Sequence, residues 1–389
     1  MDEVYIVAAG HIPVGKYPDS DPAQLGSQAV INALANADIE SDSIGGLYAG
    51  NMLSGILSDQ QLLATLIANR AGLTTCEAIT AEGACGSGAA AMRLGVMAIA
   101  SRSHKAVVVC GAEQMTHKDH ASVTHGLATG SHWPSEGGKG KTFISLNAAL
   151  MQAYMSAYNI KHEAFANFSI SAHANGFRSP HAMLQKLIDR DTYNNARELT
   201  APITLMDAPP ICDGAAALIL TNKDIAMAAR AAGQPVVKVL ASTATTDKLA
   251  INERESLLEL KSSRLGGQVA YQQAGVTPAD LDLLELHDAY TIMNTLSLEA
   301  LGFADRGCGT QLAESEQITL SGSIPISTFG GLKSRGHPVG ATGVYQLVEC
   351  FLQLTDRAGE NQVKGAEVAL AQSFGGAASS AFTHIVAAA

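Results

Sequence analysis

The chain has 389 residues, of which 47% are hydrophobic and 16% charged, and a formal net charge of -11 at pH 7. Such a composition describes a globular chain that buries much of its surface, in a large core or against a second subunit, and excludes a disordered or fibrous one. The acidic balance gives no broad positive field for a phosphate backbone, so nucleic acid is not expected as a partner, and an anionic cofactor would need a local basic patch.

The acidic start Met1-Asp2-Glu3 passes directly into an apolar run at 4–9, which predicts a first strand and no signal peptide. A helix is predicted over 22–36, a short strand over 45–50 emptying into a glycine loop, a helix over 59–71, a small-residue helix over 86–101 and a buried strand over 106–111. The second part repeats the order: strand 236–241, a mainly helical 257–274, strand 281–286 ending in His287-Asp288, helix 343–354 and strand 368–372. This alternation is the sequence form of an α/β protein, and the shared order suggests a duplication into halves at 1–225 and 226–389. Between about 116 and 210 lies a segment with the only tryptophan, Trp133, many His and Lys, and a glycine-rich 136–141. It reads as a loop-rich insertion suited to covering a substrate. No apolar stretch approaches the ~20 residues of a bilayer span, so no membrane partner is expected. The six cysteines, at 76, 85, 110, 212, 308 and 350, lack metal-ligand spacing and read as reduced thiols of a cytoplasmic protein without a metal.

Four segments could carry chemistry. In Glu82-Gly83-Ala84-Cys85-Gly86-Ser87-Gly88 a single Cys precedes a helix of small residues. A helix N-terminus favours a thiolate and lowers its pKa, which would make Cys85 a nucleophile; the plainer alternative is a buried core cysteine. In Gly330-Gly331-Leu332-Lys333-Ser334-Arg335-Gly336-His337-Pro338 a histidine sits in a glycine-dense loop, where a base is better served than packing. In Glu285-Leu286-His287-Asp288-Ala289-Tyr290, at the end of an apolar strand, Asp288 would cap the following helix or support a neighbouring group. Last, the turn Ser373-Phe374-Gly375-Gly376 could aim backbone N–H groups at an oxyanion.

In this order the four segments resemble the thiolase superfamily, and more narrowly its sterol-carrier-protein-like thiolases. The resemblance covers nearly the whole chain and takes in 51–53, 60–72, 107–113 and the Cys212-Asp213-Gly214 turn. It implies a duplicated five-layered α/β/α/β/α fold, a homodimer or dimer of dimers, no permanently bound cofactor, and a coenzyme A thioester as substrate. It also implies Cys85 as the acyl-carrying nucleophile, His337 as its activating base, His287 at the first oxyanion hole, and the N–H groups of Cys85 and Gly376 as the second. The family's second acid/base cysteine is missing, with Ala289 and Ser373 at its two usual places. Ala has no proton to exchange and a serine hydroxyl is a weak base.

Three readings follow from this departure: a β-ketoacyl-CoA thiolase or acetyl-CoA C-acetyltransferase type of enzyme, a condensing enzyme that uses Cys-His-His on an activated or decarboxylating acceptor, and a lyase or a member of a complex with a small OB-fold partner. Anionic CoA needs cations, for which Lys139, Lys141, Arg178 and Lys333 are the loop candidates, with His125 and His173 as further pocket candidates.

Overall fold

The structure is a computed structural model that describes residues 2–37, 39–73 and 75–389. Met1, the start of the expected N-terminal half, lies outside them. Among the described residues there are eleven strands: β1 (Val4–His11), β2 (Gly46–Gly50), β3 (Glu77–Ala81), β4 (Ala106–Glu113), β5 (Glu198–Thr200), β6 (Ile203–Thr204), β7 (Gly214–Asn222), β8 (Val237–Thr246), β9 (Leu283–Glu285), β10 (Val368–Gly375) and β11 (Ser380–Ala388). Nine form one sheet in the order β3-β2-β4-β7-β1-β8-β11-β10-β9, while β5 and β6 make a separate hairpin.

The duplication is visible in that order. Counted within its own half, the first part runs third, second, fourth, fifth, first, with β2 parallel to β3 and β4, and β7 antiparallel to β4 and β1. The second half mirrors it outward from the β1–β8 pair: β9 is parallel to β10, β11 is antiparallel to β10 and β8, and a parallel bridge from Leu284 to Ile326 stands where a third strand would lie. Helix Pro22–Ala35 follows β1 as Lys261–Ala274 follows β8. Helix Ser87–Ala100 and helix Thr342–Leu354 are the corresponding central pair.

Those two central helices pack on each other between the halves. Their side chains Met92, Val344, Leu347 and Phe351 share one core with Val107, Val109, Leu218 and Leu220 of the sheet. The opposite face, with Val108 and Ile219, packs under helices Pro22–Ala35 and Leu63–Arg70, and in the second half Leu284, Leu370 and Ile385 are covered by Ala270 and Leu298. Strands covered on both faces need no polar alternation, hence the unbroken apolar runs of β4 and β7. Helix, sheet, paired helices, sheet, helix are the five expected layers. Small residues let the central helices meet: a Cβ on Gly343 would lie 2.4 Å from the Ala89 nitrogen.

Several boundaries differ from expectation for local reasons. Helix 59–71 begins only at Leu63, because Leu62 takes a left-handed conformation (φ 55). Strand β7 begins at Gly214, inside what reads in sequence as a turn, and β3 is half-exposed and thus lacks a continuous apolar signal. Besides its loops, the 116–210 insertion carries helices His120–Ala128, Phe143–Tyr158, Ala166–Arg178 and Arg190–Asn194. The second of these starts at a Thr142/Ser145 capping box.

Candidate functional site

Within each half β2, β3 and β4, or β9 and β10, point the same way, so their carboxyl ends deliver the loops that follow them to a common edge. Ligands of open α/β sheets bind outside such strand ends. Cys85 follows β3, Glu113 ends β4, His287 follows β9 and Gly376 follows β10. The interlocked halves bring these ends to one cavity of about 480 Å³, whose walls include Cys85, His287, His337 and Gly376.

Cys85 sits on a tight turn, Ala84–Gly86, that leads into helix Ser87–Ala100. Ala84 adopts φ 50, a left-handed conformation uncommon for a residue with a Cβ. The turn is held by Ala84 N donating to Glu82 Oε1 (2.6 Å), Gly83 N to Ser87 Oγ (3.0 Å), and Ser87 Oγ to Ala84 O (2.6 Å). On its other side Gly375 packs so closely that a Cβ there would lie 2.4 Å from Gly83 O.

His287 stands two residues past β9. Its backbone is fixed by Gln346, whose Nε2 donates to Glu285 O, Leu286 O and Gln372 O and so binds β9, β10 and the central helix together. Its Nδ1 lies 3.3 Å from Ser373 Oγ. His337 donates its backbone N–H to Cys212 Sγ (3.1 Å), and its Nδ1 lies 2.7 Å from Thr342 Oγ1. The Thr342 hydroxyl in turn donates to Pro338 O (3.3 Å), so it accepts from the imidazole. That chain fixes the Nδ1–H tautomer of His337 and leaves Nε2 as an acceptor. The two rings meet edge to face with centroids 5.1 Å apart. A ring nitrogen of each histidine and the Cys85 sulfur all lie within 4.8 Å of one another.

Three buried groups missed in the sequence hold this arrangement. Glu113 accepts from Asn51 Nδ2 and Leu53 N on one oxygen and from Met52 N and Gly340 N on the other, joining the loop after β2 to the Gly-His-Pro loop. Asp213 accepts from Tyr17, Met115 and Thr116 backbone N–H groups. Arg335, fully buried, donates to Glu349 Oε2 (2.6 Å) beneath the same loop, with His181 on the other Glu349 oxygen. No spacing rule announces these contacts, since the partners of Glu113 and Asp213 are 60 to 227 residues away and Arg335 turns inward from a loop.

The electrostatics correct one expectation. Burial, reinforced by the Glu113 carboxylate, pushes the Cys85 thiol up to about 12, so the helix N-terminus does not make a resting thiolate. Burial and Arg335 hold His287 down at about 3; burial, His287 and Arg335 hold His337 well below its ordinary value. At rest the site therefore contains a neutral thiol and two neutral imidazoles.

Asp288 does not cap the helix that follows it, Thr291–Ala300, which has no side-chain cap. It accepts from Leu332 N (2.8 Å), tying the His-Asp turn to the Gly-His-Pro loop. Lys333 is no free cation: it is 6% exposed and its Nζ donates to Leu205 O and Ala208 O, strapping the cavity wall 205–211 to that loop. Arg178 lies on a separate cavity beside Asn167 and Lys364, and Lys139 and Lys141 are exposed outside the Cys85 cavity. His173 turns its Nδ1 to Lys186 O, and His125 packs on Trp133. The cations that do line the cavity are Lys16 and Arg197, both exposed, with His120 beside them. Much of the remaining wall is apolar, from Leu127, Phe143, Met183, Leu199, Ile211 and Met293. Cys350 lies in the central core and Cys308 ahead of helix Gly309–Glu314, both away from Cys85.

Residues 4–224 match the family model "Thiolase, N-terminal domain", and residues 243–388 match "Thiolase C-terminal domain-like". The chain is 34% identical over 385 residues to the acetyl-CoA acetyltransferase of Methanothermobacter thermautotrophicus, with 99% of each covered. It is 27% identical to rabbit (Oryctolagus cuniculus) sterol carrier protein 2, covering 96% of this chain and 70% of that protein. The solved structure described as "Ltp2-ChsH2(DUF35) aldolase" superposes with a TM-score of 0.85 at 20% identity, covering 99% of this chain and 98% of that one, a likeness of fold. The chain belongs to the thiolase family, on the side of the sterol-carrier-protein-like thiolases.

Proposed function

We propose that this chain is a thiolase-type acyl-CoA acyltransferase that forms or cleaves a carbon–carbon bond through an acyl group carried on Cys85. The observation that carries the reading is the cluster of one thiol and two imidazoles, within 4.8 Å of one another, on the wall of a single deep cavity. His337 Nε2 accepts the thiol proton as sulfur attacks the thioester carbonyl. With the thiol near 12 and the imidazole kept neutral, the proton moves as the carbon–sulfur bond forms rather than beforehand. The oxyanion rests on the N–H groups of Cys85 and Gly376, and collapse expels CoA thiolate, which takes the proton back from His337. His287, its Nδ1 facing Ser373, then offers Nε2 to the second oxyanion or enolate. Lys16 and Arg197 on the cavity wall support the binding of CoA phosphates there.

A second reading keeps the acyl-Cys85 step and changes the acceptor. Ala289 on the cavity wall and Ser373 behind His287 leave no second thiol beside Cys85 to remove a carbon-bound proton. An acceptor that generates its carbanion by losing CO2 needs no such base. The half-exposed edge strand β3, with Ile79 exposed, together with the exposed Met97 of helix Ser87–Ala100, supports a homodimer. The likeness of fold to the Ltp2-ChsH2(DUF35) aldolase, a complex of two named components, supports a partner protein. Among the described residues no helix is long and apolar enough to cross a membrane; a cytoplasmic enzyme of lipid metabolism is part of the same proposal.

Intact-mass analysis after incubation with acetyl-CoA and longer acyl-CoAs tests the reading. An acyl adduct that maps to Cys85 and is lost in Cys85→Ser is expected, and no adduct from any acyl-CoA would overturn it. CO2 release from malonyl-CoA selects the second acceptor, and size-exclusion chromatography with and without co-purifying protein reads the assembly.

A further inference from the structure

The thiol and imidazoles have a second chemical meaning that does not depend on acyl transfer. Structural and catalytic zinc sites use cysteine sulfur and histidine nitrogen, with three protein ligands and one open position in the catalytic kind. Ligating histidines nearly always have their other ring nitrogen hydrogen-bonded, which fixes the tautomer and the ring plane. Both conditions are met here. Thr342 Oγ1 holds Nδ1 of His337 and Ser373 Oγ faces Nδ1 of His287. Among the described residues neither Nε2 has a hydrogen-bond partner, and one ring nitrogen of each histidine lies within 4.8 Å of the Cys85 sulfur.

We propose that Cys85, His287 and His337 form a three-ligand site for a soft divalent cation, Zn2+ foremost, and that an ion bound there blocks the Cys85 sulfur. Two ligand atoms on a tetrahedral zinc stand about 3.3–3.6 Å apart, from bond lengths of about 2.3 Å to sulfur and 2.0–2.1 Å to nitrogen. The three atoms, already within 4.8 Å, close that gap by about an ångström of side-chain movement into the adjoining cavity. As the Zn–S bond forms the S–H bond breaks and its proton goes to water, while the two imidazoles bind neutral. The fourth position faces the cavity and takes a water or a thioester oxygen. The donor set is soft, which favours zinc and leaves Mg2+ and Ca2+ without affinity. Zinc and an acyl group compete for the same sulfur, so the site links activity to free zinc.

Site-resolved alkylation tests this, whatever the acyl-adduct experiment returns. Iodoacetamide labelling of the whole protein, read peptide by peptide, compares Cys85 with the half-buried Cys76 and Cys308. Micromolar Zn2+ is expected to slow labelling of Cys85 at least tenfold, since metal at about ten times its Kd leaves about one site in eleven free. Cys76 and Cys308 should be unaffected and Mg2+ inert. Protection should fall in His287→Ala and in His337→Ala, with circular dichroism confirming their fold. Co2+ added to the unaltered protein should give a thiolate-to-cobalt absorption band in the near ultraviolet that prior alkylation of Cys85 abolishes. Labelling of Cys85 at an unchanged rate in Zn2+, protection that persists when both histidines are replaced, or a cobalt band indifferent to Cys85 alkylation would each overturn the proposal.

Discussion

The sharpest consequence of the geometry concerns Thr342, a residue that touches no substrate. Its hydroxyl accepts from His337 Nδ1 at 2.7 Å and donates to Pro338 O, and the residue is fully buried. Thr342→Val keeps the shape and removes the oxygen. The Nδ1–H tautomer then carries an unsatisfied buried donor, which costs about 1–3 kcal/mol. The imidazole shifts toward the Nε2–H tautomer, which cannot accept the Cys85 proton. Passed into the barrier for acylation, that penalty slows the step by about 5- to 150-fold. Thr342→Ser retains the hydroxyl and should restore most of the rate. Single-turnover acylation by acetyl-CoA, followed by quenched intact mass, reads the rate directly. If Thr342→Val acylates Cys85 within twofold of the unaltered enzyme, the hydroxyl does not set the tautomer and the role given to His337 Nε2 is wrong.

Four further outcomes follow from the same contacts. With its thiol pushed up to about 12, Cys85 should be alkylated about tenfold faster for each pH unit from 7 to 10 without a plateau, and a plateau near 8 would show a thiolate-stabilising site instead. The folded thiol also holds its proton more tightly than the unfolded one, so its stabilising contribution is full below about 8.5 and is lost as pH rises toward 12; Cys85→Ser should lose less stability than the unaltered chain between pH 8 and 10. Burial raises Glu113 to about 7, so its contribution is present below an unfolded value of about 4.3 and lost as pH climbs to 7. The melting-temperature gap between the unaltered chain and Glu113→Gln should therefore narrow from pH 5 to 8, and a constant gap would refute the shift. Gly375→Ala places a Cβ 2.4 Å from Gly83 O, a backbone atom that can retreat only by moving the Cys85 turn. Overpacking of this kind costs about 1–3 kcal/mol, so both the melting temperature and the acylation rate should fall, and an unchanged acylation rate would show that the turn tolerates the shift.

The missing thiol narrows the chemistry as much as the groups present define it. Ala289 enlarges the cavity and Ser373 turns to His287, so the space beside Cys85 is served by imidazoles that burial and Arg335 keep neutral. A neutral imidazole N–H is well suited to holding an oxyanion or enolate, whereas the lone pair of so weak a base is poorly suited to stripping a proton from carbon. That favours acceptors activated by other means, which the CO2-release assay separates.

Local patterns in the chain were enough to identify the α/β alternation, the helix after Cys85, the Gly-His-Pro loop and the order of the motifs, because each rests on periodicity, on glycine turn chemistry or on residues adjacent in sequence. They also placed Cys85, His287, His337, Ser373 and Gly376 in the segments that line or back a single cavity. They could not show which cations meet that cavity: Lys333 is as polar in sequence as Lys16, and only packing buries one and leaves the other at the cavity. Nor could they give the state of the thiol. A helix N-terminus is a local feature that lowers a cysteine's pKa, whereas the burial and the Glu113 carboxylate that raise it come from strands and loops distant in sequence. Sequence by itself determined which groups are available; tertiary structure decided their protonation, their tautomers and their neighbours, because desolvation and hydrogen bonding depend on what the fold brings into contact.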